Sequence, residues 1–156
     1  MQKYGKWVSL GACLLWCAVI FRFSLSSGSD SAVTSGRVLA FCNGVLEALH
    51  LPLRFTAVAV RKLAHFTEFF VLGVLLMQTL TLHGFGHAEL LAEPVALLVA
   101  AVDETIQAFV PGRAPSVLDV LLDLSGALCG SLSFLALCLL LLYIKKKRLQ
   151  KSKKTT

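Results

Sequence analysis

The sequence predicts an all-α membrane protein with four transmembrane helices in a small bundle and an amphipathic surface helix between the first and second spans. Hydrophobic residues make up 56% of the 156 residues, and the mean hydropathy is +0.76. Soluble domains are only about 45–50% apolar. Charged residues make up 15% of the chain, and four apolar stretches approach or exceed the length of a bilayer-spanning helix.

The predicted transmembrane domain covers residues 1–144, and a basic tail covers residues 145–156. The predicted spans lie at about residues 7–23, 55–82, 90–110 and 117–144. A cleavable signal peptide is the competing interpretation of the first apolar run, because Ser24 and Ser26 are small residues at a suitable spacing. The pattern from Ser116 to Asp119 resembles a capping box and marks the start of the last span.

A surface helix is predicted at about residues 31–50. Residues 24–36, which overlap its start, are small, polar and loop-like in composition. The apolar residues of the helix recur at helical spacing on one side, as at Val38, Phe41 and Val45. This apolar face is interrupted too often to span a membrane, so we expect the helix to lie on the membrane surface. The helix should end before Pro52, because the residue that precedes a proline avoids the helical region.

The basic tail predicts the orientation of the chain. Seven of the fifteen Lys and Arg residues lie between Lys145 and Lys154, directly after an apolar run, and such residues favour the cytoplasmic side. Four spans would place both termini on that side. We expect the tail to attract anionic lipid and expect no nucleic-acid partner.

A group of polar residues falls at one predicted depth, near the outer face. With the N-terminus inside, the second span begins there, the third ends there and the fourth begins there. A charge at the bilayer centre costs about 2.5–3.5 kcal/mol, so such residues need partners or a function. We predict that they enclose a polar, ligand-binding cavity formed by Lys62, His65, Glu68, Asp103, Glu104, Gln107, Arg113, Asp119 and Asp123.

A purely structural role is the alternative for this group. Lys62 and Arg113 would then pair with acids across helices, and His65 would be a satisfied core histidine. Five carboxylates at close range do not all stay ionised, so at least one should share a proton or a cation. No cofactor is predicted, although a divalent cation is possible, with the candidate ligands Glu68, Asp103, Glu104, Asp119 and Asp123.

Four motifs carry a resemblance to a known family. They are Phe23-Ser24, KLAHFTE from Lys62, DETIQAFVPGR from Asp103 and DVLLDLSGALCG from Asp119. In order and spacing they resemble the VanZ-like family of bacterial membrane proteins over about residues 21–130. The chain departs from the family at Phe69, where a tyrosine is common, and at Asp123, where an asparagine is frequent.

The resemblance implies a multi-pass protein of the bacterial cytoplasmic membrane. The family takes its name from a protein associated with lowered susceptibility to teicoplanin, and glycopeptides of this kind act outside that membrane on lipid-linked cell-wall precursors. The leading hypothesis is a non-enzymatic module that binds or shields such a lipid-linked component, or the amphiphilic antibiotic, at the outer leaflet. Lys62 and Arg113 would hold its phosphate or carboxylate.

Two other hypotheses remain open. The first is an enzyme acting on a lipid-linked substrate, with His65 as the base, Glu68 or Asp103 as its orienting partner, and carboxylates binding a divalent metal. The second is a proton-coupled transporter, because acids and histidine within a membrane form proton relays. Four helices are few for one transporter protomer, so this hypothesis would require a homodimer.

Overall fold

The computed structural model describes residues 2–154, and these residues form five α-helices with no strand. The helices are α1 (Gln2–Ser24), α2 (Gly28–Ala48), α3 (Ala57–His83), α4 (Ala88–Ala108) and α5 (Val117–Lys154). The all-α class is therefore confirmed. Met1 and the last two residues of the predicted tail lie outside the described residues.

Three helical stretches in the described part of the chain are long and apolar enough to cross a membrane. They are Tyr4–Ser24, Ala57–His83 and Val117–Lys151. The remaining predicted span, at about residues 90–110, coincides with α4, which has 21 residues but carries Glu89 and Glu93 near its start and Asp103 and Glu104 near its end. The four-span topology therefore remains a prediction.

The bundle is organised around α3, which contacts each of the other four helices. Phe69 and Leu72 of α3 are fully buried. Helix α4 presents a ridge of alanines at a spacing of four, and this spacing keeps them on one helix face. The ridge consists of Ala88, Ala92, Ala96 and Ala100, all buried. Small side chains let the α4 backbone approach the bundle closely, and the same buried side of the helix continues into its polar C-terminal turns.

Glycines hold α3 and α5 in close contact. A methyl group added at Gly130 would lie 2.0 Å from the Phe70 carbonyl oxygen, and one added at Gly126 would lie 2.5 Å from the Phe66 carbonyl oxygen. On the facing helix, one added at Gly73 would lie 2.1 Å from the Ala127 carbonyl oxygen. The GxxxG pattern of α5 therefore packs against α3 of the same chain.

The predicted loop at residues 24–36 is wrong beyond residue 27, because α2 already begins at Gly28. Ser27 caps the helix: its hydroxyl accepts a hydrogen bond from the Asp30 backbone N–H at 3.1 Å and donates one to the Asp30 carboxylate at 2.7 Å. This cap starts the helix within a stretch whose composition is typical of a loop. No residue of α2 is buried, and Phe41 is 73% exposed.

The turn between α1 and α2 rests on the turn between α4 and α5. The Gly28 N–H donates to the Pro111 carbonyl oxygen at 3.1 Å. A side chain at Gly28 would meet the Gly112 carbonyl oxygen at 2.3 Å, and Gly112 itself has a φ of 77°. Both glycines are therefore needed for this approach, which brings the end of α1 beside the end of α4.

The glycine contacts give a first prediction. Gly130→Ala should lower stability by about 1–3 kcal/mol, because the new methyl group overpacks the α3–α5 contact. The matched control is Gly44→Ala, at a helical position where nothing lies within 4 Å of the added atom. That control should be neutral or should stabilise by up to about 1 kcal/mol. Thermal unfolding in detergent measures both, and equal midpoints for the two variants would contradict the close packing.

Candidate functional site

The nine predicted site residues lie at one end of the bundle, where α1 and α4 end and α5 begins. They come from the first turns of α3, the last turns of α4, the turn that follows α4, and the first turns of α5. Four of them are buried: Asp103, Glu104, Gln107 and Asp123. Buried polar groups need hydrogen-bond or ionic partners, so the partners of each residue indicate its role.

Asp103 is fully buried and is held by two donors. The Ser24 hydroxyl donates to its Oδ1 atom, and Gln107 Nε2 donates to its Oδ2 atom at 2.9 Å. Ser24 stands at the end of α1, so this contact joins α1 to α4. The carboxylate is thus fixed in orientation, while each oxygen keeps a further lone pair.

Asp123 is also fully buried, but neither of its oxygens has a hydrogen bond. His65 Nδ1 lies 3.6 Å from Asp123 Oδ1, which is too long for a hydrogen bond, and this nitrogen has no other partner. One ligand atom from each of His65, Asp103 and Asp123 lies within 4.8 Å of the other two. We call these three residues the buried trio.

Lys62 and Asp119 form an ion pair at the edge of the site. Lys62 Nζ lies 2.9 Å from Asp119 Oδ1, and the side chains are 45% and 23% exposed. Glu104 has a different partner: its Oε1 atom accepts a hydrogen bond from the backbone N–H of Ser116, just before α5. This bond fixes the start of α5 against the end of α4.

Arg113 does not pair with an acid, so the predicted pairing of this residue is wrong for the described residues. Its Nη1 atom donates to Gln107 Oε1 at 3.3 Å, and its Nη2 atom donates to the Phe23 carbonyl oxygen at 3.4 Å. Gln107 intervenes between the guanidinium and Asp103. Burial lowers the pKa of Arg113, and the nearby Arg61 lowers it further. Within the described chain, Arg61 also forms no ion pair.

A cavity of about 290 Å³ opens beside these two arginines, and we call it the polar cavity because most of the residues that line it are polar or charged. Arg61, Arg113, His65 and Glu68 line it from one side, and Asp30 and other residues of α2 line it from the other. An apolar groove of about 440 Å³ adjoins it between α1, α2 and α3. The cavity and the groove share five lining residues, which are Phe23, Thr34, Ser35, Ala64 and Glu68.

The structure divides the predicted set into subsets with different partners. Of the predicted metal ligands, only Asp103 and Asp123 belong to the buried trio; Glu68, Glu104 and Asp119 do not. The sequence did not indicate Arg61 as a cavity residue, nor His65 as one of the residues that could hold a metal ion. It also did not indicate Ser24 as a partner of Asp103, although Ser24 belongs to one of the four motifs.

The fold and this site define a small, all-helical membrane protein with a polar site at one end of its bundle. The profile of the VanZ/LLP1 family matches residues 9–147. The chain therefore belongs to the VanZ/LLP1 family, and the resemblance inferred from the motifs is confirmed. Comparisons with curated proteins and with solved structures found no match.

The partners of Lys62 give a second prediction. Lys62→Met and Asp119→Asn should show a coupling of about 0.2–1 kcal/mol in a double-mutant cycle, because the pair is partly exposed. Lys62→Met and Asp103→Asn should be additive, since Asp103 is held by Ser24 and Gln107. The free energy of unfolding in detergent gives both couplings. A larger coupling for Lys62 with Asp103 would contradict this arrangement.

Proposed function

We propose that this protein binds the anionic head of an amphiphile at the outer leaflet of the bacterial cytoplasmic membrane. The occupant would be a lipid-linked cell-wall component or an amphiphilic glycopeptide, which the protein holds or shields and so lowers susceptibility to antibiotics of the teicoplanin type. One observation carries the proposal: a polar cavity with two arginines that lack acidic partners adjoins an apolar groove. Such a combination fits a molecule with a charged head and a hydrocarbon chain.

The proposal includes a topology in which α1, α3, α4 and α5 all cross the membrane and both termini are cytoplasmic. With four spans and both termini inside, the end of the bundle that carries the candidate site would lie at the outer face. Helix α2 would lie along that face with its exposed apolar residues outside the groove, such as Phe41 and Val45, in the lipid headgroup region. The basic continuation of α5 beyond residue 144 would attract anionic lipid on the cytoplasmic side.

Arg113 and Arg61 are the residues we assign to the head of the amphiphile. A guanidinium presents a planar fork of donors that matches phosphate or carboxylate. Arg113 Nε has no hydrogen-bond partner, and the described residues supply neither arginine with a carboxylate. The sequence led us to expect that Lys62 also holds the head. Because Lys62 already pairs with Asp119, we assign it a smaller contribution to binding of the head.

The apolar groove is assigned to the hydrocarbon chain. Its wall includes Val38 and Cys42 of α2, Val60 and Leu63 of α3 and Trp16 of α1. Trp16 is fixed there, because its Nε1 atom donates to the Glu68 carbonyl oxygen at 2.8 Å. Burial of each methylene contributes about 0.8 kcal/mol, so the groove would supply affinity and the arginines would select for a charged head.

A second candidate function is an enzyme acting on the same class of lipid-linked substrate. The observation that favours it is the position of His65, which lines the polar cavity and also lies beside two buried carboxylates. A histidine so placed would act as a general base, and the neighbouring acids would orient it. Complete loss of function with His65→Gln, but graded loss with the arginine variants, would favour this candidate.

The topology predicts that Ala114, in the exposed turn between α4 and α5, faces the outside of the cell. In a background without the native cysteines, Ala114→Cys should react with a membrane-impermeant thiol reagent on intact cells. The control is Gln150→Cys in the basic tail, which should react only after permeabilisation. The reverse pattern would place the site at the cytoplasmic face and overturn the proposed location.

The head-binding assignment predicts that binding depends on a charged head. Purified protein in detergent should bind a polyprenyl phosphate more tightly than the uncharged polyprenol. Arg113→Gln should weaken binding of the phosphate by about 10–100-fold, as expected for loss of hydrogen bonds to a charged group, and Arg61→Gln should weaken it further. Binding of the polyprenol should not change.

The matched control is Arg37→Gln, because Arg37 is an exposed arginine of α2 that lines neither cavity. It should bind the phosphate like the wild type. In growth assays with teicoplanin, the two site variants should lose protection in proportion to their loss of binding. Equal affinity of all variants for the phosphate would exclude the arginines as the head-binding residues.

A further inference from the structure

We propose that the buried trio of His65, Asp103 and Asp123 binds one divalent transition-metal ion. The proposal rests on geometry: one ligand atom from each residue lies within 4.8 Å of the others. Neighbouring ligand atoms in tetrahedral coordination are about 3.3–3.6 Å apart when each bond is about 2.0–2.2 Å long, so the widest separation in the trio has to shorten by about 1 Å. Small side-chain rotations would therefore bring all three residues into coordination.

The state of Asp123 points independently to a bound cation. This carboxylate is 0% exposed, and neither of its oxygens accepts a hydrogen bond from the described chain. His65 Nδ1 also lacks a hydrogen bond, and these atoms lie at the centre of the trio. A buried carboxylate without partners is costly, and a cation at this point would satisfy both residues together.

The hydrogen bonds to Asp103 resemble those that orient the ligands of a metal ion. Ser24 and Gln107 each donate to one of its oxygens, and such hydrogen bonds orient a metal-binding carboxylate and leave lone pairs for the ion. Gln107 is oriented in turn by Arg113 at 3.3 Å. Residues of α1, α4 and the turn after α4 therefore hold one ligand in place.

The ligand types select the class of metal. One imidazole nitrogen and two carboxylates suit Zn²⁺, Mn²⁺ or Fe²⁺, whereas Ca²⁺ and Mg²⁺ prefer oxygen ligands alone. Three protein ligands leave at least one coordination position open. Since His65 also lines the polar cavity, we infer that this open position faces the cavity, within reach of a small molecule or the head of a lipid.

The test uses the full-length protein in lipid-free detergent, after treatment with a chelator, so that it does not depend on the proposed amphiphile. Titration with Mn²⁺ alone, followed by electron paramagnetic resonance, should show about one bound ion per chain with coupling to a nitrogen nucleus. Asp123→Asn should weaken binding by at least about 100-fold, and His65→Asn should abolish the nitrogen coupling. Ser24→Ala keeps all three ligands and should weaken binding by about 10-fold.

The matched control is Glu47→Gln, because Glu47 is an exposed carboxylate that pairs with Arg54 on the surface. It should bind Mn²⁺ like the wild type. Ser24→Ala keeps the test decisive if Asp123→Asn does not fold. Absence of a bound ion, or equal binding by the wild type and the folded variants, would overturn the metal site. Failure of the wild type to bind Mn²⁺, with its binding of the polyprenyl phosphate retained, would count against this inference alone. The reverse result for the wild type would count against the proposed function alone.

Discussion

The burial of two carboxylates, Asp103 and Asp123, is the constraint on which the end of the bundle that carries the candidate site depends. Both are fully inaccessible, and an unpaired buried charge is among the most costly features a protein can contain. Asp103 avoids that cost because α1 ends at Ser24 and α4 carries Gln107 one turn later. Asp123 receives no such donors, and its nearest basic group is the imidazole of His65.

The packing of the helices makes this burial possible. Glycines on α3 and α5 let the two backbones pack so closely that an added methyl group would clash with the facing backbone. Asp123 lies on α5 one turn before Gly126 and is inaccessible to solvent. The alanine ridge of α4 acts in the same way as these glycines, because its small buried side chains let α4 pack closely against its neighbours in the bundle. Residues with small side chains therefore set the distance between helices, and this distance determines which polar side chains meet.

The sequence was sufficient to predict the class, the family and the grouping of the nine polar residues at one end of the bundle. Periodicity and apolar length predicted α1, α3, α4 and α5 to within a few residues at most boundaries, because long apolar segments leave few alternatives. Spacings of three and four placed the polar residues of each helix on one face. The start of α2 was predicted at about residue 31 and lies at Gly28, because the composition indicated a loop while the local cap of Ser27 with Asp30 favoured a helix.

The partners of the site residues were harder to predict. Sequence spacing fixes which residues share a helix face, but it does not fix the rotation of one helix against another. The sequence therefore left the acid partner of Lys62 open, and in the structure that partner is Asp119. Ser24 and Arg61 were missed for a related reason, since each acquires its role from a neighbouring helix and has no signal of its own in the spacing.

The charges at the polar cavity link the two proposals physically. Arg61 and Arg113 would attract a phosphate, but Asp30 and Glu68 line the same cavity and the two buried aspartates lie behind it. Without a cation, these acids would oppose the entry of an anionic head. A divalent ion in the buried trio would offset the charge of two carboxylates and offer the head a further positive partner. Because such coupling is reciprocal, a phosphate bound at the arginines would tighten the binding of the metal by the same factor.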